Sequence, residues 1–214
     1  MIVMLANNSG REVRALAEEF PGRIGHLYSP GGQRGPFEGI PYALDNGAYP
    51  AWAKGEAWDR AGWELLLEWV DKADPPPLWA LCPDVVADPA GTLRSWYALG
   101  HHLSGRGIPM AFAAQDGVRP HEIPVSADLV FIGGTFEWKR AAIRPMIEYG
   151  HRVHVGRVNS FAFLDACYEL GVESVDGTGF TRGDRKQWGG VVRFLRETTD
   201  EAAERQGRMP WMRA

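Results

Sequence analysis

Carboxylate and amide side chains follow several of the short apolar runs in this chain of 214 residues. These side chains are Asp45, Asp84, Gln115, Asp116 and Asp176, and the pair Gly133-Gly134 follows a further apolar run. An isolated Asp or Asn before glycine usually only makes a turn, because its side chain bonds its own backbone. Aspartates gathered at one place would instead repel and raise one another's pKa, an arrangement that is kept where function requires it. The pattern therefore predicts a carboxylate-based catalytic site.

The elements that must position these residues are predicted by the alternation of short apolar runs with longer amphipathic ones, typical of βα units. Eight runs are candidate strands: 2–6, 24–28, 42–45, 78–82, 109–113, 129–132, 153–155 and 172–175. Their spacing predicts a single (β/α)8 TIM-barrel domain over residues 1–214. Only a Gly- and Pro-rich stretch, 29–39, separates the second run from the third, so one helix is expected to be missing there. Because reactive side chains of such barrels lie at strand carboxyl ends, the polar residues are expected to share one rim.

Helix signals fill most of the other gaps. Ser9 and Glu12 have the spacing of a capping box. Asp88 is a candidate N-cap, with Pro89 at the first helical position, and Ser160 is expected to begin a later helix. Apolar periodicity predicts two further helices, over 58–70 and 188–195.

Composition limits the classes of protein. Hydrophobic residues are 45% and charged residues 23%, as in ordinary globular proteins. The formal net charge of -4 argues against a protein that coats nucleic acid non-specifically, although it leaves room for a local basic patch. The two cysteines, Cys82 and Cys167, are too far apart in sequence for a C-x-x-C zinc module. We expect a cytoplasmic protein without a membrane span, whose N-terminal apolar residues form the first strand.

Five short motifs carry a resemblance to a known family. They are Asp-Asn-Gly-Ala at 45–48, Cys-Pro-Asp at 82–84, Gln-Asp-Gly at 115–117, Ile-Gly-Gly at 132–134 and Asp-Gly-Thr-Gly-Phe-Thr-Arg at 176–182. In this order they resemble the active-site motifs of the tRNA-guanine transglycosylase family, the queuine and archaeosine tRNA-ribosyltransferases. The likeness extends to compact relatives that insert 7-deazaguanines into DNA. The last motif keeps the family's spacing from the nucleophilic aspartate to a Thr-Arg pair.

The resemblance implies a glycosyltransferase that exchanges guanine in nucleic acid for a free 7-deazaguanine base. Asp176 would be the nucleophile that attacks the sugar C1′ and forms a covalent glycosyl-enzyme intermediate. Asp45 would be the general acid and base for the departing and incoming bases. Neither a metal nor another cofactor is expected in this reaction.

The resemblance also implies a set of substrate-binding residues. Asp84 would accept hydrogen bonds from the ring N–H and the exocyclic amine of the guanine. Gln115 and the backbone of Gly133-Gly134 would bind the carbonyl side, where glycine lets the backbone approach a flat ligand. Tyr49 and Arg182 complete the implied set.

Three positions depart from the family pattern. Asn46 and Ala48 replace a serine and a glycine, and Phe180 stands where a proline is usual. The cysteines of the family's zinc module are also missing, which removes the expected means of docking a tRNA stem. These departures favour DNA over tRNA as the substrate, and they also fit an enzyme that acts on nucleotides or a member that has moved to another base chemistry.

Basic residues in two segments are candidate contacts for phosphates. Arg182, Arg185 and Lys186 follow the implied nucleophile directly and would meet the phosphates that flank the target nucleotide. The C-terminal segment 205–213 combines arginines with Trp211, which suits either a nucleic-acid contact or a solvated terminus.

Two other functions fit the same barrel. Asp45, Asp84 and Asp176 could hold a divalent cation in a metal-dependent hydrolase, although paired histidine ligands are lacking. His101-His102 is expected within a helix, and His151 and His154 at or inside a strand, where at least one should be a buried core residue. Alternatively, the barrel binds a purine without chemistry.

Overall fold

The structure is a computed structural model that describes residues 1–6, 10–182 and 185–207. Its strands are β1 (Ile2–Ala6), β2 (Ile24–Tyr28), β3 (Tyr42–Leu44), β4 (Ala80–Leu81), β5 (Met110–Ala114), β6 (Leu129–Ile132), β7 (Val153–Val155) and β8 (Ser174–Asp176). Each strand pairs in parallel with the next, and β8 pairs with β1, so that the eight strands form a closed barrel. The predicted (β/α)8 barrel is confirmed.

Helices connect most of the strands. They are α1 (Arg11–Glu19), α2 (Ala48–Lys54), α3 (Arg60–Val70), α4 (Pro89–Leu99), α5 (His101–Ser104), α6 (Phe136–Glu148), α7 (Phe161–Glu169), α8 (Gly179–Arg182) and α9 (Arg185–Gly207), with a 3-10 turn at Pro120–Glu122. Residues 29–41, all of which the structure describes, contain no helix between β2 and β3. This confirms the missing helix. No helix within the described ranges has both the length and the apolar character needed to cross a bilayer.

Side-chain caps begin several helices, and two of them were predicted. Asp88 accepts a hydrogen bond from the backbone N–H of Gly91 at the start of α4. Ser160 accepts one from Phe163 at the start of α7. The structure gives Gly10 as the N-cap of α1, and the predicted capping box of Ser9 and Glu12 involves Ser9, which lies outside the described residues.

Two apolar layers hold the barrel together, because alternate side chains of a strand face opposite sides of the sheet. Val3 and Leu5 pack in the outer layer against the helices, whereas Met4 between them packs inside the barrel. The inner cluster consists of Met4, Leu27, Ala43, Trp79, Leu81, Ala111, Ala113 and Leu129. Burial of a large apolar side chain stabilises the fold by about 1.5–3 kcal/mol.

The last strand differs from its prediction in a way that bears on the site. β8 covers Ser174–Asp176 instead of 172–175, so Asp176 belongs to the strand itself. Val175 packs in the outer layer, and alternation therefore turns Ser174 and Asp176 toward the barrel interior. A side chain on a strand is held more firmly than one in the following loop.

Candidate active site

A cavity of about 830 Å³ opens at the carboxyl ends of the strands. The predicted site residues that line it are Asp45, Tyr49, Asp84, Gln115, Gly133, Gly134 and Asp176. Arg182 ends α8, and its side chain lies outside the described part of the chain. The barrel therefore brings together residues that are more than a hundred positions apart in sequence.

Asp45 directly follows β3 and is fixed by its neighbours. The hydroxyl of Ser29 donates to its Oδ2 at 3.0 Å, and the backbone N–H of Gly47 donates to its Oδ1 at 3.4 Å. Burial, and next the negative charge of Asp176, raise the pKa of Asp45 above its usual range. Asp45 therefore keeps a proton more readily than an ordinary aspartate does.

Asp84 lies between two amide side chains. Asn46 Nδ2 donates to its Oδ1 and Gln115 Nε2 donates to its Oδ2, both at 2.8 Å. Burial raises the pKa of Asp84 to about 6, against the opposing effect of the bond from Asn46. Asn46 is buried and also donates to the carbonyl of Cys82, so it supplies a rigid support for Asp84.

The side-chain amide nitrogen of Gln115 already has hydrogen-bond partners in the protein. Its nitrogen lies within hydrogen-bonding distance of Asp84, of the carbonyl of Val85 and of the hydroxyl of Thr92. Its oxygen is buried and has no partner within the described residues. Donation by Gln115 to a base carbonyl stays a prediction, and it requires the amide to turn away from Asp84.

The loop after β6 presents backbone to the cavity. The N–H of Gly133 donates to the carbonyl of Ala114, which leaves the N–H of Gly134 as the free amide of the pair within the described chain. Gly134 has a φ of 70°, and a Cβ there would collide with the carboxylate of Asp116. Only glycine fits this position. Asp116 itself is exposed and accepts from the backbone and hydroxyl of Thr135, which is a structural contact.

Asp176 is buried at the floor of the cavity, with a side chain 8% exposed. His154 Nε2 lies 3.1 Å from its Oδ2, and the backbone N–H of Arg157 donates to its Oδ1 at 3.2 Å. Both oxygens are thereby oriented by residues of β7 and of the loop that follows it.

Arg157 has an unusual backbone for a residue with a side chain. Its φ is 58°, in the left-handed region, and this conformation accompanies the bond from its N–H to Asp176. Its guanidinium carbon lies 4.3 Å from the ring centre of Tyr49, and its Nη2 donates to the carbonyl of Gly134 at 2.6 Å. Arg157 thus contacts three parts of the cavity wall: Asp176, Tyr49 and Gly134.

Several site residues are missed by the sequence analysis: Ser29, Asn46, His154, Arg157 and Ser174. The prediction that a histidine of this region is a buried core residue is confirmed, since His154 is fully buried. Its bond to Asp176 was not foreseen. The sequence does contain a signal for the direction of the imidazole, because Val153 and Val155 flank His154 and a strand alternates its faces. Two apolar neighbours facing the helices turn the imidazole toward the barrel interior.

The other predicted basic residues lie elsewhere. Arg185 and Lys186 are exposed at the start of α9 and do not line the cavity. In the segment 205–213, residues 208–213 fall outside the described ranges. Among the described residues, no group of three or more His, Cys, Asp or Glu side chains is arranged to hold a metal ion.

Neither a scan against protein-family models nor a search of curated proteins gives a match to this chain.

Proposed function

We propose that this chain is a base-exchange transglycosylase that replaces guanine in nucleic acid with a 7-deazaguanine through a covalent aspartyl-glycosyl intermediate. One observation carries the proposal. A buried, oriented carboxylate, Asp176, shares a cavity with Asp45, whose pKa it raises, and with Asp84, which two amides hold. The pattern of motifs resembling the transglycosylase family agrees with this arrangement.

Asp176 supplies the nucleophile. One of its oxygens forms a bond to the sugar C1′ while the bond from C1′ to the guanine nitrogen breaks, and the base leaves with the electron pair. In the second half, the incoming base attacks C1′ and Asp176 leaves as a carboxylate. Two displacements at the same carbon retain its configuration.

Asp45 supplies the proton. Its raised pKa keeps it protonated at a pH where an ordinary aspartate is ionised, so it can protonate the departing guanine. Once ionised, it accepts the proton that the incoming base releases when its nitrogen bonds to C1′. A carboxyl group that keeps its proton more readily, placed in the same cavity as a nucleophile, is what this acid-base chemistry requires.

Asp84 recognises the base. Asn46 donates to one of its oxygens and Gln115 donates to the other. Each carboxylate oxygen has a further lone pair, so the two can also accept from a ring N–H and an exocyclic amine. Guanine and 7-deazaguanine share this donor pair. Specificity for these bases would follow because a base without the donor pair leaves the buried carboxylate of Asp84 unpaired, which costs binding free energy.

The test is exchange of labelled guanine. Wild-type protein is incubated with a guanine-containing DNA oligonucleotide, or with tRNA, and radiolabelled guanine, with and without EDTA. We expect EDTA-insensitive incorporation into the polymer, and an Asp176-containing peptide that carries the mass of the glycosyl strand after quenching. Incorporation abolished by EDTA would support a metal-dependent enzyme, and bound guanine without incorporation would support a purine-binding barrel.

A further inference from the structure

Two polar residues lie behind Asp176 inside the barrel. His154 Nδ1 is 2.8 Å from the hydroxyl oxygen of Ser174, and His154 Nε2 is 3.1 Å from Asp176 Oδ2. The register of β7 and β8 pairs His154 with Ser174, and Asp176 follows two residues later on the same face. The three side chains therefore form a line from the barrel interior to the cavity.

The surroundings of His154 fix its ring. The imidazole is fully buried, with the ring centres of Trp79 and Phe131 each 4.8 Å from its own. A carboxylate that acts as a nucleophile only accepts hydrogen bonds, so in this role of Asp176 the Nε2 of His154 carries a hydrogen whether the imidazole is neutral or protonated. In the neutral ring the Ser174 hydroxyl donates to Nδ1, and this bond holds the tautomer.

We propose that His154, held by Ser174, is a positioning residue that orients the carboxylate of Asp176 for attack. The bond from Nε2 restrains Oδ2 and prevents rotation of the carboxylate. Oδ1, which accepts the backbone N–H of Arg157 at 3.2 Å, is then the oxygen that the proposal assigns to the attack on C1′. The chemistry of this inference rests on the proposed function, whereas the arrangement of the three side chains does not.

The line of bonds moves no proton during the reaction. Oδ1 bonds to C1′, the guanine leaves with the electron pair of the broken bond, and Oδ2 becomes the carbonyl oxygen of the ester. Nε2–H donates to that oxygen throughout. When the incoming base displaces the ester, the returning negative charge develops beside a donor that is already in place.

The test compares two substitutions at His154 with a matched control. His154→Leu removes the donor and His154→Gln retains an N–H. We expect His154→Leu to lower kcat about 10- to 100-fold, the usual effect of losing a residue that orients a reacting group, with little change in KM. His154→Gln should restore part of the rate, and Ser174→Ala should lower kcat less. Val155→Ala, on the outer face of the same strand, should lower Tm and leave kcat near wild type.

A second readout separates this inference from the proposed function. In protein labelled with ¹⁵N-histidine, the proton on Nε2 of His154 should resonate downfield and exchange slowly, and Asp176→Asn should move it upfield. If the wild type exchanges no base but the resonance behaves in this way, the proposed reaction fails and the orienting bond stands. An unshifted resonance in Asp176→Asn, or wild-type kcat in His154→Leu, would overturn the inference. If His154→Leu does not fold, the resonance of the Nε2 proton and the kcat of Ser174→Ala still test the inference.

Discussion

At the scale of single residues, Asp176 and Asp45 are chemically different although both are aspartates in one cavity. Asp176 has an imidazole and a backbone N–H on its two oxygens, whereas Asp45 has a hydroxyl, a backbone N–H and a raised pKa. In the proposed function, this difference in environment supports Asp176 as the nucleophile and Asp45 as the acid.

This assignment predicts that two similar substitutions differ. Asp176→Asn should abolish exchange, because it removes the atom that forms the intermediate. Asp45→Asn should reduce turnover by about 10² to 10⁴-fold, the usual contribution of an acid-base group, and still accumulate the adduct. Single-turnover assays with mass spectrometry of the quenched protein measure both. An adduct on Asp45, or robust exchange by Asp176→Asn, would contradict the assignment.

The pKa of Asp84 predicts a pH dependence of base binding. Only the ionised carboxylate accepts from two donors, and with a pKa of about 6 it is mostly protonated at pH 5. Affinity for 7-deazaguanine should therefore rise about tenfold from pH 5 to pH 7.5 and then level off. Isothermal titration calorimetry measures it. Asp84→Ala should weaken binding at every pH, because each base donor left unpaired costs roughly 1–3 kcal/mol of binding free energy. An affinity equal to that of the wild type would show that Asp84 does not bind the base.

At the scale of elements, α6 supports the end of β7 through a buried lysine. Lys139 is 3% exposed, and its Nζ donates to the carbonyl of Gly156 at 2.7 Å. Gly156 precedes Arg157, whose N–H bonds Asp176. Burial, and next the charge of Arg157, lower the pKa of Lys139 to about 8.

This lysine predicts how stability changes with pH. Between pH 8 and its usual value of 10.5, the unfolded chain binds more protons at this residue than the folded chain, so stability rises with pH in that window. Relative to Lys139→Met, the wild type should gain about 1–2 kcal/mol of unfolding free energy from pH 8 to 9.5. Urea unfolding of both proteins at the two pH values is the measurement. Parallel changes in the two proteins would show that Lys139 is charged in the fold.

At the scale of the whole molecule, closure of the barrel depends on filling its interior. Trp79 is 1% exposed and packs with the inner cluster against His154 and Phe131. Its indole N–H is buried with no partner among the described residues. The ring therefore stabilises the barrel by its volume and not by its polar atom.

Trp79→Ala should lower the free energy of unfolding by about 3–5 kcal/mol, the usual effect of emptying a large aromatic site. Trp79→Phe should be much milder, because it keeps most of the ring and removes the unpaired N–H. Chemical unfolding followed by circular dichroism measures both. Equal losses in the two variants would mean that the indole nitrogen makes a bond of its own.

The sequence by itself determined the strands, the closure into a barrel and the rim on which Asp45, Asp84 and Asp176 lie. These follow from local patterns, since apolar periodicity and turn residues act over a few positions. It also determined two helix caps, Asp88 and Ser160.

Only the tertiary structure decided what each aspartate contacts. Asn46 and Asp84 are 38 positions apart, and His154 and Asp176 are 22 apart, so no local pattern pairs them. Asp176 meets the imidazole because β8 extends one residue beyond its predicted end and pairs with β7 in one register. The physical reason is that a strand's register is fixed by packing on both faces of the sheet, and a shift of one residue would turn every side chain to the other face.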